Sequence, residues 1–157
     1  MEFIRGIPSC DLADALQRLA LKSTFVSGAH FVSPQPFSLR YQSAYLIGRA
    51  HTAQYALASD ATPSSQPPPP NPVDTLEKGQ ILVVSGASTA PNAYFGGLLC
   101  ARAVALKAAG ALIDGRVRDR RELWDYQDAF PIVSTRADDA SVLGAAGFAK
   151  CVAVGST

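Results

Sequence analysis

Residues 80–122, QILVVSGASTAPNAYFGGLLCARAVALKAAGALIDGRVRDRRE, decide the fold of this chain. Gln80-Ile-Leu-Val-Val-Ser85 is a short apolar run after Gly79. It predicts a strand covered on both faces, because a half-exposed strand would alternate apolar and polar residues. Residues 86–92 read as a loop. Residues 93–109 are rich in Ala, Leu and Val and predict a helix, with Gly110 as its stop. Ala111-Leu-Ile113 predicts the next strand, ending at Asp114-Gly115. Strand, helix and strand in that order predict a βαβ unit and an α/β fold.

Two motifs lie within this stretch. Gly96-Gly97-Leu98-Leu99 opens the second half of the loop-to-helix passage, and Arg118-Asp119-Arg120-Arg121-Glu122 follows the second strand. Twenty residues separate Gly97 from Arg118. In a right-handed βαβ unit the helix starts near the carboxyl end of the first strand, and the second strand ends beside that start. The two motifs are therefore expected to converge at the sheet edge where open α/β folds bind ligands. Glycines let a ligand approach backbone closely, and the first helical amides favour anions. A guanidinium such as Arg118 grips a carboxylate through two parallel hydrogen bonds. Asp119 and Glu122 offer hard oxygen ligands for Mg²⁺ or Mn²⁺. Each residue also has a plainer use: glycines for tight helix–strand packing, and Arg118 for a surface pair with Asp119 or Asp114.

Outward from this stretch, a helix is expected from Ser9, its cap, through the residue-20 region. Leu12, Ala15, Leu16 and Leu19 repeat there at helical spacing. Residues 43–55 predict a strand, with Gly48 as a bulge or a point of close approach. Residues 63–72 are Pro-Ser-Ser-Gln-Pro-Pro-Pro-Pro-Asn-Pro, which excludes a helix or central strand and favours a polyproline surface loop. Pro131-Ile-Val-Ser134 and Cys151-Val-Ala-Val154 predict later strands, and residues 142–146 a short helix closed by Gly147.

The chain has 157 residues, is 48% hydrophobic and carries a formal net charge of +1, which suits one domain with a sizeable core. Without a long basic run, a nucleic-acid surface has no compositional support. The arginines at 116, 118, 120 and 121 form the one local cluster, interrupted by Asp119. Cys10, Cys100 and Cys151 form no metal-type pair or disulfide framework and are expected as buried, reduced thiols. His30 and His51 are far apart, which disfavours a histidine zinc site. Arg5, Pro8 and Asp11 interrupt any signal-peptide core, and no apolar stretch reaches membrane-spanning length. A cytoplasmic protein is the expectation.

Gly97, twenty residues, Arg118-Asp119, two residues and Glu122 resemble the pattern of the RraA-like family, which includes the class II aldolases acting on 4-hydroxy-4-methyl-2-oxoglutarate. That pattern is Asp or Gly, twenty residues, Arg-Asp, two residues, then Glu or Asp. The stretch from Asp114 to Asp119, the Ser9-Cys10-Asp11-Leu12-Ala13-Asp14-Ala15-Leu16 segment and Gly48-Arg49-Ala50-His51-Thr52 resemble the family too. The resemblance covers roughly residues 5 to 135. It implies a single RraA-like swivelling β/β/α domain over residues 1–157, assembling as a homotrimer or hexamer. It implies that Asp119 binds a divalent cation (Mg²⁺ or Mn²⁺) with Glu122 assisting. Arg118, with Gly96, Gly97 and the amides near Leu98 and Leu99, would hold a small 2-oxo acid.

The activity implied is a metal-dependent carbon–carbon lyase. It would release pyruvate from 4-hydroxy-2-oxo acids by retro-aldol cleavage, decarboxylate oxaloacetate, or both. The cation would act as a Lewis acid on the enolate, with Arg118 as fixed positive charge. The alternatives are a non-catalytic regulatory binding protein, as some RraA-like proteins are, or an inactive truncated homologue. Family members usually continue into a Pro-Val, Gly-Gly and Pro-Gly-Asp region that this sequence lacks. An incomplete C-terminal part and an open sheet edge are therefore expected.

Overall fold

A computed structural model describes residues 4, 6–21, 26–35, 38–39, 44–55, 70–86 and 92–136. Among these residues the elements are α1 (Ser9–Arg18), β1 (His30–Ser33), β2 (Arg49–Tyr55), β3 (Gln80–Gly86), β4 (Ala93–Phe95), α2 (Gly97–Ala105), β5 (Gly110–Val117), α3 (Arg120–Asp125) and β6 (Ile132–Arg136). The strands form one mixed sheet in the order β1-β6-β5-β3-β2, with β4 added beside β5. All neighbours are parallel except β1 and β6. The α/β expectation holds, and β3–α2–β5 is the βαβ unit: Ile81 pairs with Gly110 and Ser85 with Asp114.

β3 is buried as its apolar run requires, with Ile81 and the adjacent Leu82 both inside although they face opposite sides of the sheet. One face meets α2 through Cys100 and Ala103, both fully buried and small enough to let the helix lie close. Leu82, Val84, Ile113, Leu123 and Ile132 complete that core, and Phe95 and Phe130 stack within it at 6.2 Å. α3 is fixed to β1 by two polar contacts. Ser33 Oγ donates to the Leu123 carbonyl, and Trp124 Nε1 donates to the Val32 carbonyl. His51 Nε2 lies 3.0 Å from Thr75 Oγ1, and Asp74 pairs with Arg102 of α2, so the turn after the proline run is tied to both β2 and α2.

Several boundaries differ from expectation, each for a physical reason. The predicted helix over residues 93–109 is shorter. Ala93–Phe95 instead pairs with the end of β5, where β3 has run out. α2 ends at Ala105, five residues before Gly110, because Lys107 takes the left-handed conformation (φ 59). Its N–H donates to Val104, and the Ala108 N–H to Ala103, the bond pair of a Schellman stop. β5 does not end at Asp114-Gly115 but continues to Val117. Gly115 (φ 152) absorbs a register shift there, and a Cβ on it would stand 2.5 Å from the Tyr94 ring. Ser9 is the first helical residue rather than the cap; Pro8 precedes it and no side chain caps α1. Gly48 is a close approach as expected, but ahead of β2 rather than inside it. A Cβ there would meet the Gly79 carbonyl at 2.7 Å. Cys100 is buried, whereas Cys10 is exposed. Residues 63–69, the short helix over 142–146, and the Cys151 strand lie outside the described residues.

Candidate functional site

The site is built where β4 turns into α2 and β5 turns into α3. Val117 ends β5, and the Arg118 N–H then donates to the Phe95 carbonyl at 3.0 Å. That bond ties the second motif to the strand leading into the first. Asp119 follows in the left-handed region (φ 59, ψ 40), which Asp tolerates better than most side chains. It is the N-cap residue of α3, and its carbonyl accepts the first helical bond from Leu123 N–H. An N-cap Asp ordinarily bonds an amide of its own helix. This one does not: its Oδ2 accepts from the Gly97 N–H at 3.2 Å instead. A carboxylate at the head of one helix thus satisfies an orphan amide at the head of the other and stands where the α2 dipole favours negative charge.

Arg118 turns back over the same carboxylate, with Nε 3.5 Å from Asp119 Oδ2. Both side chains keep partial access to solvent, 42% for Arg118 and 32% for Asp119. Glu122 stands in the first turn of α3, three residues on and therefore on the same helix side as Asp119. Glycine on the facing backbone leaves the room that these side chains occupy. A Cβ on Gly97 would collide with Glu122 Oε2, and one on Gly96 would lie 2.7 Å from Asp119 Oδ2 and 3.0 Å from Arg118 Nε.

The structure therefore brings Gly96, Gly97, Arg118, Asp119 and Glu122 together. Leu98 and Leu99 occupy the first turn of α2, with Leu98 84% exposed, and their amides precede the first internal bond, Cys100 N–H to the Gly96 carbonyl. His30 and His51 stand apart from this cluster: His30 Nδ1 contacts the Gly28 carbonyl and His51 contacts Thr75. Asp114 pairs with Thr135 rather than with Arg118.

Two residues that sequence reasoning did not single out support the site. Phe95 supplies the carbonyl that holds Arg118, and the Tyr94 ring packs over Gly86 and Gly115 and stacks on Tyr55 at 5.2 Å. The signal was the pair of β-forming aromatics just before Gly96-Gly97.

A divalent cation fits this donor set. Asp119 and Glu122 are hard oxygen donors on one helix side, partly open to water, and Mg²⁺ binds through one or two carboxylates while retaining water. Among the described residues no group of three or more His, Cys, Asp or Glu is placed to hold a metal ion, so a cation here would rest on these two carboxylates and water.

Fold and site together define an α/β protein whose glycine and arginine–carboxylate motifs meet at the carboxyl ends of the parallel strands of a mixed sheet. The chain belongs to the RraA-like family: the family model described as Aldolase/RraA matches residues 9–147. A search of curated proteins finds no match.

Several solved structures are similar, the following three among them. One, described among novel cellulases from gut-associated microbes, has a TM-score of 0.66 at 16% identity, over 96% of this chain and 61% of that one. RraAS2 of Streptomyces coelicolor, described as an unusual member of the RNase ES inhibitor RraA family, has a TM-score of 0.64 at 19% identity, over 96% and 67%. The RNA-processing inhibitor RraA from Thermus thermophilis has a TM-score of 0.50 at 20% identity, over 82% and 66%. At these identities the likeness establishes the fold. The chain spans about three-fifths of the length of the first of these structures, 61%.

Proposed function

We propose that this chain is a divalent-metal-dependent carbon–carbon lyase acting on small 2-oxo acids. The observation that carries the reading is the meeting of Gly97, Arg118, Asp119 and Glu122 around the first turn of α2. Asp119 and Glu122 would hold Mg²⁺ or Mn²⁺. When bound, the cation supplies Lewis-acid polarisation of the substrate carbonyl. Arg118 binds and orients the substrate carboxylate through its planar fork and places fixed positive charge where negative charge grows. The amides of Leu98 and Leu99 add donors at the positive end of a helix. Gly96 and Gly97 leave room for the ligand to reach them.

The reaction supported is retro-aldol cleavage of a 4-hydroxy-2-oxo acid, decarboxylation of oxaloacetate, or both. In the first, the bond between the third and fourth carbons breaks. The hydroxyl loses its proton as that carbon becomes a carbonyl, and the third carbon takes up a proton to leave as pyruvate. In the second, the same carbon loses CO₂ and is protonated in the same way.

Pyruvate release from oxaloacetate and from 4-hydroxy-2-oxo acids, with Mg²⁺ and with chelator, tests the reading. Turnover that requires the cation and is lost in Arg118→Ala and Asp119→Ala supports it. Activity that survives chelation, or survives both substitutions, removes the site from the chemistry. A folded chain that binds neither metal nor oxo acid would favour a regulatory binding protein instead.

A further inference from the structure

The two halves of the candidate site hang from different anchors. Asp119 and Glu122 sit at the head of α3. α3 is held to β1 by the Ser33–Leu123 and Trp124–Val32 hydrogen bonds. The other half is the Gly96-Gly97 backbone with Arg118, and it depends on β4. Gly96 follows β4 directly, and the Arg118 N–H donates to the Phe95 carbonyl of β4. β4 has three residues, the short limit of what pairs in a sheet, so it needs a further hold.

Tyr94 supplies that hold. β4 pairs Ala93 with Arg116 and Phe95 with Val117, a register shift that leaves Tyr94 between them as the extra residue. A bulge of this kind re-aims a side chain. The Tyr94 ring lies over Gly86 and Gly115, the two residues just past the last β3–β5 pair, Ser85 with Asp114. A Cβ on Gly86 would collide with the ring, and one on Gly115 would stand 2.5 Å from it. The paired absence of side chains on β3 and β5 makes the seat. Tyr55 is in register with Gly86 and stacks on the same ring, with centroids 5.2 Å apart and planes at 20°. Such a pair contributes beyond the area it buries. The ring therefore ties β4 to β2, β3 and β5 at once.

We propose that Tyr94 is a positioning residue for the oxo-acid half of the site. It sets Gly96-Gly97 and Arg118 through β4 and the Phe95–Arg118 bond, and it leaves the carboxylate half to α3. The effect on ligands rests on the lyase reading; the effect on the backbone at Arg118 does not.

Amide-resolved hydrogen exchange of the full chain by NMR tests it. The Leu123 N–H, which donates to the Asp119 carbonyl within α3, is the internal control. Tyr94→Ala is expected to speed exchange at the Arg118 amide about tenfold or more and to leave Leu123 at its wild-type rate. Gly86→Ala, which pushes the ring off its seat without altering Tyr94, should do the same. In the Tyr94→Ala background it should add little, because the methyl enters the space the ring has left. Tyr94→Phe keeps wild-type rates, since ring carbons make the closest contacts with both glycines. In calorimetric titration, Tyr94→Ala weakens pyruvate binding about tenfold and leaves Mg²⁺ affinity unchanged. Unchanged exchange at Arg118, equal acceleration at Leu123, additive effects of the two substitutions, lost protection in Tyr94→Phe, or parallel loss of pyruvate and Mg²⁺ would each overturn the proposal. A wild type that binds neither ligand would remove the lyase reading alone, and the exchange rates would still decide the role of Tyr94.

Discussion

Asp119 performs two tasks from one conformation. Its left-handed backbone turns the chain from β5 into α3, and the same turn aims its carboxylate at Gly97 N–H rather than at its own helix. Arg118 is fixed through its backbone at Phe95, and its side chain turns over the Asp119 carboxylate. Arg118→Ala is expected to lower metal-dependent pyruvate release by about 100- to 1,000-fold, the usual loss when one fixed donor at a developing charge is removed. Gly97→Ala should displace the Glu122 carboxylate, because the added methyl occupies its position. Its expected effect is a weakening of Mg²⁺ binding by about tenfold, read by titration calorimetry, with the dichroism spectrum unchanged. These residues were legible in the sequence because their chemistry is carried by residue type and by a spacing that one helix and one strand fill. The Asp119–Gly97 bond was not legible. It depends on a left-handed φ that no residue other than glycine announces reliably.

Among the elements, β3, α2 and β5 follow from apolar runs and a helix-length gap, and β3 is buried as its unbroken apolar run predicts. β4 was hidden because three residues have no periodicity of their own; it exists by extending the pairing of β5 where β3 stops. The extension of β5 was hidden for a related reason. Asp-Gly resembles a turn, but here the missing Cβ admits the Tyr94 ring and the strand runs on. The end of α2 shows the reverse error. Gly110 looked like the helix stop, whereas Lys107 holds the left-handed position, at a cost glycine would not bear. Lys107→Gly is therefore expected to stabilise the fold by about 1 kcal/mol, measured as a raised midpoint in denaturant unfolding with an unchanged slope. α1 is the opposite case: its periodicity was plain, but a single chain says nothing of what its leucines meet.

At the scale of the whole molecule, stability should fall on the alkaline side. Burial among apolar neighbours pushes the Cys100 thiol from 9.0 to about 12. An unfolded chain begins to ionise this thiol near 9.0, while the folded chain keeps it protonated. The contribution of the neutral thiol is thus complete below 9.0 and is lost as pH rises toward about 12. Unfolding curves over that window should decline more steeply for the wild type than for Cys100→Ala, and Cys100 should resist alkylation at neutral pH while exposed Cys10 reacts. The sheet order has a further consequence, in time rather than in energy. β1 ends at Ser33, yet its partner β6 begins at Ile132. During synthesis the strand therefore emerges long before the backbone it must pair with, and its unpaired groups wait on water while most of the sheet is made. Closing so long a loop costs chain entropy before the pairing returns it, so this chain is expected to fold more slowly than a helical bundle of its size.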